Sequence, residues 1–199
     1  MYFMKEHKWE ECQLTKESHF LKECHSVQEP HIIDECQLLK VSNIEDYQDI
    51  EALANVIWRE HYSNILGKEQ IDYMLHRFQS VVTMQKQVQV DLYEYYKIHW
   101  RDSFVGYFAI QKQENNLFLS KIYIHKDYRG HGLGQIVLSL LEKDCIQLGL
   151  GKIWLTVNRF NASSIKFYEK QGFIKVRTQV ADIGDGFVMD DYIMEKVIG

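Results

Sequence analysis

Proline is nearly missing from this chain: Pro30 is the only one in 199 residues. Cysteine is also scarce, with four residues in no dense pattern, which excludes a disulfide-stapled secreted scaffold and suits a reduced, cytoplasmic protein. No apolar run approaches the length that crosses a bilayer, so no membrane association is expected. Residues 1–11 are charged and lack the apolar centre of a signal peptide, which points away from secretion. Positive charge falls short as well. The 23 Lys and Arg stand against 28 Asp and Glu, and a net charge of -5 argues against nucleic acid as a partner. Closely spaced cysteine pairs are absent too. His7, Cys12, His19, Cys24, His25 and Cys36 form only a loose set, so no metal site is expected.

What is present describes one globular domain with a polar leader. At 46% hydrophobic and 26% charged, the composition supports a sizeable core. Residues 1–34 are rich in Glu, Lys, His and Cys and read as an N-terminal extension; residues 35–199 read as the domain. Residues 16–24 permit a helix in the extension, with Phe20 and Leu21 as its few apolar anchors. The tetrapeptide Glu-Cys-Gln-Leu recurs at 11–14 and 35–38, which chance explains as well as duplication.

The first strand is expected over 36–42. Asn43 and Asp46 offer caps for a helix in which Ile50, Leu53, Ala54 and Ile57 share a face. A second helix is expected over 68–78. Strands follow at 88–99, 103–111 and 117–125, the first two joined by a turn at Trp100, Arg101 and Asp102. A helix with Leu133, Val137, Leu140, Leu141 and Cys145 on one face ends at Gly149 and Gly151. A strand over 152–157, a short helix capped at Asn161 and closed by Gly172, and strands at 174–180 and 187–197 complete the chain. This order predicts an α/β fold with a mixed, twisted sheet of about six to seven strands covered by helices.

The densest signal is Tyr128-Arg129-Gly130-His131-Gly132-Leu133-Gly134, between a strand and a helix. Alternating glycines bare the backbone where the helix begins, and its first N–H groups lack intrahelical acceptors. Such a site can hold an anion like a pyrophosphate, with Arg129 as a forked cationic donor, against the alternative of a glycine-rich turn that serves chain geometry alone. No Gly-Lys-Ser or Gly-Lys-Thr follows, so the pattern of a nucleotide P-loop fails. A dinucleotide fingerprint fails at Gln135 or Val137, depending on where it starts.

Two motifs together carry a resemblance. Arg129-x-x-Gly132-x-Gly134 after a strand, and Asn161 followed by Phe167-Tyr168 and Gly172-Phe173, resemble the GNAT superfamily of acyl-CoA-dependent N-acyltransferases over roughly residues 36–197. Lys126 departs from the proline that many relatives carry before the loop. The resemblance implies strands 117–125 and 152–157 splayed apart to admit a thioester arm, with acetyl-CoA as cosubstrate. It implies cofactor contacts from the loop residues Arg129, Gly130, His131, Gly132, Leu133 and Gly134. Main chain at Ile122, Tyr123 and Ile124 would serve the pantetheine amides and the thioester oxygen, with Asn158 and Asn161 in reach of pantetheine or pyrophosphate. Tyr168 takes the place of the proton donor to the departing thiolate, which a phenol can fill at neutral pH.

An amine nucleophile has to lose a proton before it attacks. Glu94, among tyrosines, is the candidate base or cation ligand, against the alternative of a solvated charge on a sheet face. Trp58, His61 and Tyr62 fall where relatives place acceptor walls, with core packing as the other reading; Ser120 and His125 are weaker candidates. The spelling 57–62 through 67–70 looks like bacterial members linked to polyamine acetylation. The expected function is transfer of acetyl from acetyl-CoA to a primary amine of a small, polyamine-like molecule by direct attack in a ternary complex. An acetyltransferase of protein N-termini or lysines, and a non-catalytic acyl-CoA-binding module, stay open as alternatives, as does a homodimer.

Overall fold

The computed structural model describes residues 31–33, for the backbone alone, and 35–199. The first helix, α1 (Ile44–Tyr62), starts where Asn43 adopts extended backbone and its side chain accepts the Asp46 N–H at 2.9 Å. Glu45 and Asp46 in the first turn complement the helix dipole, and Ile50, Ala54, Ile57 and Trp58 form the buried stripe. Then come α2 (Lys68–Phe78) and α3 (Val81–Gln89).

α3 is a correction to the sequence reading, which began a strand at residue 88. The β-branched residues Val81, Val82, Val88 and Val90 favour a strand locally. The Ser80 cap on the Thr83 N–H, together with burial of Met84, holds the segment helical instead. The strand starts only after Leu92, whose φ of 57° turns the chain.

The sheet has eight strands in the order β1 (His31–Ile33), β2 (Cys36–Lys40), β3 (Tyr93–Trp100), β4 (Ser103–Lys112), β5 (Asn116–Ile124), β6 (Lys152–Asn158), β8 (Phe187–Val197), β7 (Ile174–Gly184). The short β1 adds an edge to the strands expected. Every neighbouring pair is antiparallel except β5 and β6, which are parallel because α4 (Leu133–Leu148) carries the chain back between them. α1, α2 and α3 cover one face, around Tyr95, Tyr107 and Ala109. α4 and α5 (Ala162–Lys170) cover the other, around Phe108, Leu117, Leu155 and Met194.

Two local features open this sheet at its centre. β5 and β6 pair only over Asn116–Phe118 and Lys152–Trp154, where the rings of Phe118 and Trp154 stack at 4.1 Å; beyond that point the strands part. Just past the last pair, Leu119 sits opposite Ile110 and Lys121 opposite Ala109, leaving Ser120 as the extra residue of a β-bulge. Before the bulge, Leu117 and Leu119 face α4. After it, Ile122 and Ile124 face α4, while Lys121 and Tyr123 turn toward α1–α3.

Candidate active site

Two adjoining cavities meet at the gap between β5 and β6. One, of about 420 Å³, lies against the starts of α4 and α5 and is lined by the glycine loop, Ser164, Phe167 and Tyr168. The other, of about 160 Å³, lies under α1 and α2 and is lined by Trp58, Tyr62, Gln70, Lys121, Tyr123 and Asp191. His61, Ile122, Ile124, Arg129, Ser164 and Tyr168 border both.

The first cavity ends in a backbone cradle. After a single 3-10 turn at Lys126–Tyr128, Gly130 and Gly132 take φ of 85° and 78°, conformations that side chains resist. Gly132 caps α4 with no side-chain hydrogen bond, and the first helical bond runs from the Ile136 N–H to the Gly132 carbonyl. Among the described residues, the N–H groups of residues 130–135 donate to no protein acceptor. A Cβ on Gly132 would meet nothing within 4 Å, so the open side of the cradle admits a ligand. Gly134 serves packing too: a Cβ there would come within 3.0 Å of the Phe167 ring, so glycine lets α5 close on α4. These free amides at a helix start fit a diphosphate. The His131 side chain is exposed with Nδ1 at 3.2 Å from the Tyr128 carbonyl, whereas Leu133 is buried in the core.

Arg129 borders both cavities but is braced. Its Nε donates to the Ile124 carbonyl at 2.9 Å, and a terminal nitrogen lies 3.3 Å from a Glu60 oxygen. The main chain of β5 divides by alternation. The His125 N–H bonds to Val105 of β4, so two residues earlier Tyr123 also faces β4, and the N–H and C=O of Ile122 and Ile124 turn to the gap. Tyr123 therefore offers its side chain, not its backbone, which corrects the expectation for that residue.

At the junction, Asn161 caps α5, accepting from the Ser164 N–H at 3.2 Å and from the Ser163 hydroxyl at 3.1 Å. Its amide nitrogen then points at His61 Nε2, 3.0 Å away, so that ring nitrogen accepts and the proton sits on Nδ1. Burial, with Arg129 nearby, lowers the His61 pKa and keeps the ring neutral. Asn158 lines the second cavity, and its side chain accepts the Phe160 N–H at 3.0 Å. Tyr168 is buried against Phe173; desolvation, reinforced by the neighbouring Tyr62, raises its pKa and keeps the phenol protonated. The Tyr62 ring lies 4.8 Å from that of Trp58 and 4.9 Å from that of His61, which ties the second cavity's wall to the junction.

Glu94 is not brought to either cavity. It does share a face with Tyr96, whose hydroxyl donates to it at 2.7 Å, but Lys40 at 2.8 Å and Lys112 at 3.0 Å hold it as an ion pair. Although burial opposes ionisation, these partners push its carboxyl down to about 2, which makes it a poor base. The neighbouring Tyr93, Tyr95 and Tyr96 do not line the second cavity, whereas Trp58 and Tyr62 do. Of the weaker candidates, Ser120 lines the second cavity and His125 lines neither. Sequence reasoning missed Lys121 and Asp191. The available signal was a charge on an apolar alternation: Asp191 lies between Met189 and Ile193 on one face of β8. Lys121, with burial lowering its pKa to about 7, is held by the Phe78 carbonyl, Gln87 and the Tyr95 hydroxyl.

The family model described as "Acetyltransferase (GNAT) family" matches residues 50–173, more than half of the chain and including both the glycine loop and the Asn161–Phe173 segment. The chain belongs to the GNAT acetyltransferase family. The GNAT fold is seen again in the crystal structure of PaiA N-acetyltransferase from Thermoplasma acidophilum in complex with coenzyme A. It aligns with a TM-score of 0.68 at 24% identity, over 81% of this chain and 98% of that one. L-ornithine N5-acetyltransferase NATA1 of Arabidopsis thaliana is 28% identical over 60 residues, 30% of this chain and 26% of that protein. The uncharacterized N-acetyltransferase Rv2669 of Mycobacterium tuberculosis is 30% identical over 93 residues, 46% of this chain and 59% of that protein. The matched stretches thus span well under two thirds of these curated relatives. Among the described residues of this GNAT domain, no helix is long and apolar enough to cross a membrane, and no group of His, Cys, Asp and Glu is arranged to hold a metal. The loose His and Cys set and the 16–24 helix expected in the extension lie outside the described residues, except Cys36, which is buried in β2.

Proposed function

We propose that this GNAT enzyme transfers an acetyl group from acetyl-CoA to a primary amine of a small, polyamine-like molecule, by direct attack in a ternary complex. One observation carries the reading: a single gap in the sheet joins an amide cradle on one face to an aromatic-walled cavity with a buried carboxylate on the other. Donor and acceptor can enter from opposite sides and meet between β5 and β6. An acyl-enzyme route has less support, because the described cysteines, Cys36 and Cys145, are buried in the core and line neither cavity. The name of the ornithine N5-acetyltransferase relative, a small-molecule amine enzyme, points the same way.

Acetyl-CoA, when bound, supplies the acyl group activated as a thioester. The free amides of residues 130–135 would hold its diphosphate. The Ile122 N–H, facing the gap, is in place to stabilise negative charge on the carbonyl oxygen during attack. Tyr168, kept protonated by burial, supplies the proton to the departing thiolate. The small acceptor cavity, with Trp58 and Tyr62 as walls, favours a slender alkylamine over a folded protein surface.

A panel of alkylamines, N-terminal and lysine peptides and aminoglycosides, assayed for thiol release from acetyl-CoA, tests this. Alkylamines are expected to give the highest kcat/KM. Turnover confined to peptides would move the assignment to protein acetylation, and coenzyme A binding without turnover of any amine would reduce the chain to a binding module.

A further inference from the structure

Resting on that reading, the structure assigns Asp191 the second, non-reacting ammonium of a short diamine acceptor. The carboxylate is only 6% exposed yet lines the acceptor cavity, directly across the strand pair from Asn158. Among the described residues, no hydrogen bond or ion pair reaches its oxygens. Burying a lone carboxylate is costly, and other carboxylates among the described residues are paired. Lys97 bridges Asp46 and Asp49, Lys196 meets Glu142, and Arg159 takes the adjacent Asp190.

The groups around the cavity explain why Asp191 is left alone. From α1 come Tyr62 and neutral His61; from β5, Lys121 and Tyr123; from α5, Tyr168; from the loop, Arg129; and from its own strand, Asp190. Arg129 is committed to Glu60 and the Ile124 carbonyl, and Lys121 to Phe78, Gln87 and Tyr95. Each neighbouring cation among the described residues is spent elsewhere, which leaves the charge that completes Asp191 to the ligand. Burial, with Asp190 beside it, raises the carboxyl to about 6, so it is mostly ionised at neutral pH and ready for a cation.

Position selects the second ammonium and not the first. β6 stands between β8 and the gap where the thioester enters, which sets Asp191 aside by at least one strand spacing, about 4.8 Å. That offset misses the amine under acetylation and reaches a cation a few methylenes away. Trp58 and Tyr62 on the cavity wall add aromatic faces for the same charge.

Thiol release by the full chain, with putrescine and with its monoamine counterpart butylamine, tests the assignment. The parent should prefer putrescine. Asp191→Asn should lose about tenfold or more in kcat/KM for putrescine, through KM, while butylamine changes by less than about twofold. Asp191→Glu, which keeps the charge, should retain the preference, and unchanged coenzyme A affinity by calorimetry reports that the variants fold. Equal losses with both amines, or undiminished putrescine turnover in Asp191→Asn, would overturn the role of Asp191. So would a parent enzyme that uses both amines equally well, although the proposed function would then stand. A parent that binds coenzyme A and acetylates neither amine would overturn both.

Discussion

Replacing Gly132 with alanine separates backbone strain from ligand approach, because Gly149 at the far end of α4 provides a matched control. Both glycines are left-handed, with φ of 78° and 68°, and a Cβ at either would meet no protein atom within 4 Å. A non-glycine residue held there costs about 1–2 kcal/mol, so each alanine should lower the melting temperature by a few degrees, roughly 2–4 °C per kcal/mol. Only Gly132, however, lies among amides that lack protein acceptors. A methyl group on the open side holds a diphosphate away from those N–H donors, and a hydrogen bond to a charged group is worth about 1.5–3 kcal/mol. Gly132→Ala should therefore bind coenzyme A about 10- to 100-fold more weakly, and Gly149→Ala should bind it like the parent. Isothermal calorimetry measures the affinity and differential scanning calorimetry the stability. Equal affinities for Gly132→Ala and the parent would refute the amide cradle, and an equal loss in Gly149→Ala would mean that strain alone accounts for the effect.

Tyr168→Phe should lower kcat by about 10- to 100-fold with coenzyme A affinity nearly unchanged, since the hydroxyl is asked to act on the leaving group and not on the bound diphosphate; steady-state kinetics beside calorimetry read the split. Asp191 also makes a statement about stability. Its carboxyl titrates near 6 when folded, above the ordinary carboxylate range, so the native state keeps a proton that the unfolded chain has lost. Unfolding free energy should accordingly fall as pH rises from about 4 to about 6. Asp191→Asn should remove that fall and be the more stable protein above pH 6, by up to about 3 kcal/mol, in urea titrations across pH.

The parts of the site that lie close together in the chain were legible in the sequence. Alternating glycines after a strand, Asn161 three residues before the Ser164 N–H it accepts, and Gly172 closing α5 are local patterns, and each took the expected place. The parts that depend on pairing were not. Alternation correctly put Glu94 and Tyr96 on one face, but periodicity does not say which layer of helices covers that face, and Lys40 and Lys112 wait there. Asp191 joins the site only because β8 pairs along β6, and Lys121 only because Ser120 inverts the alternation of β5. α3 was misread because its valines speak for a strand while its cap and its buried Met84 decide otherwise.

The odd residue at Ser120 has a wider consequence. Without it, every side chain from position 121 onward would trade sides, sending a lysine and a tyrosine into the donor room and two isoleucines into the acceptor room. One surplus residue thus works as a partition. Substitutions at 121 and 123, which line the acceptor cavity alone, can retune what is acetylated without reaching the donor, whereas those at 122 and 124, which border both cavities, are felt by donor and acceptor together.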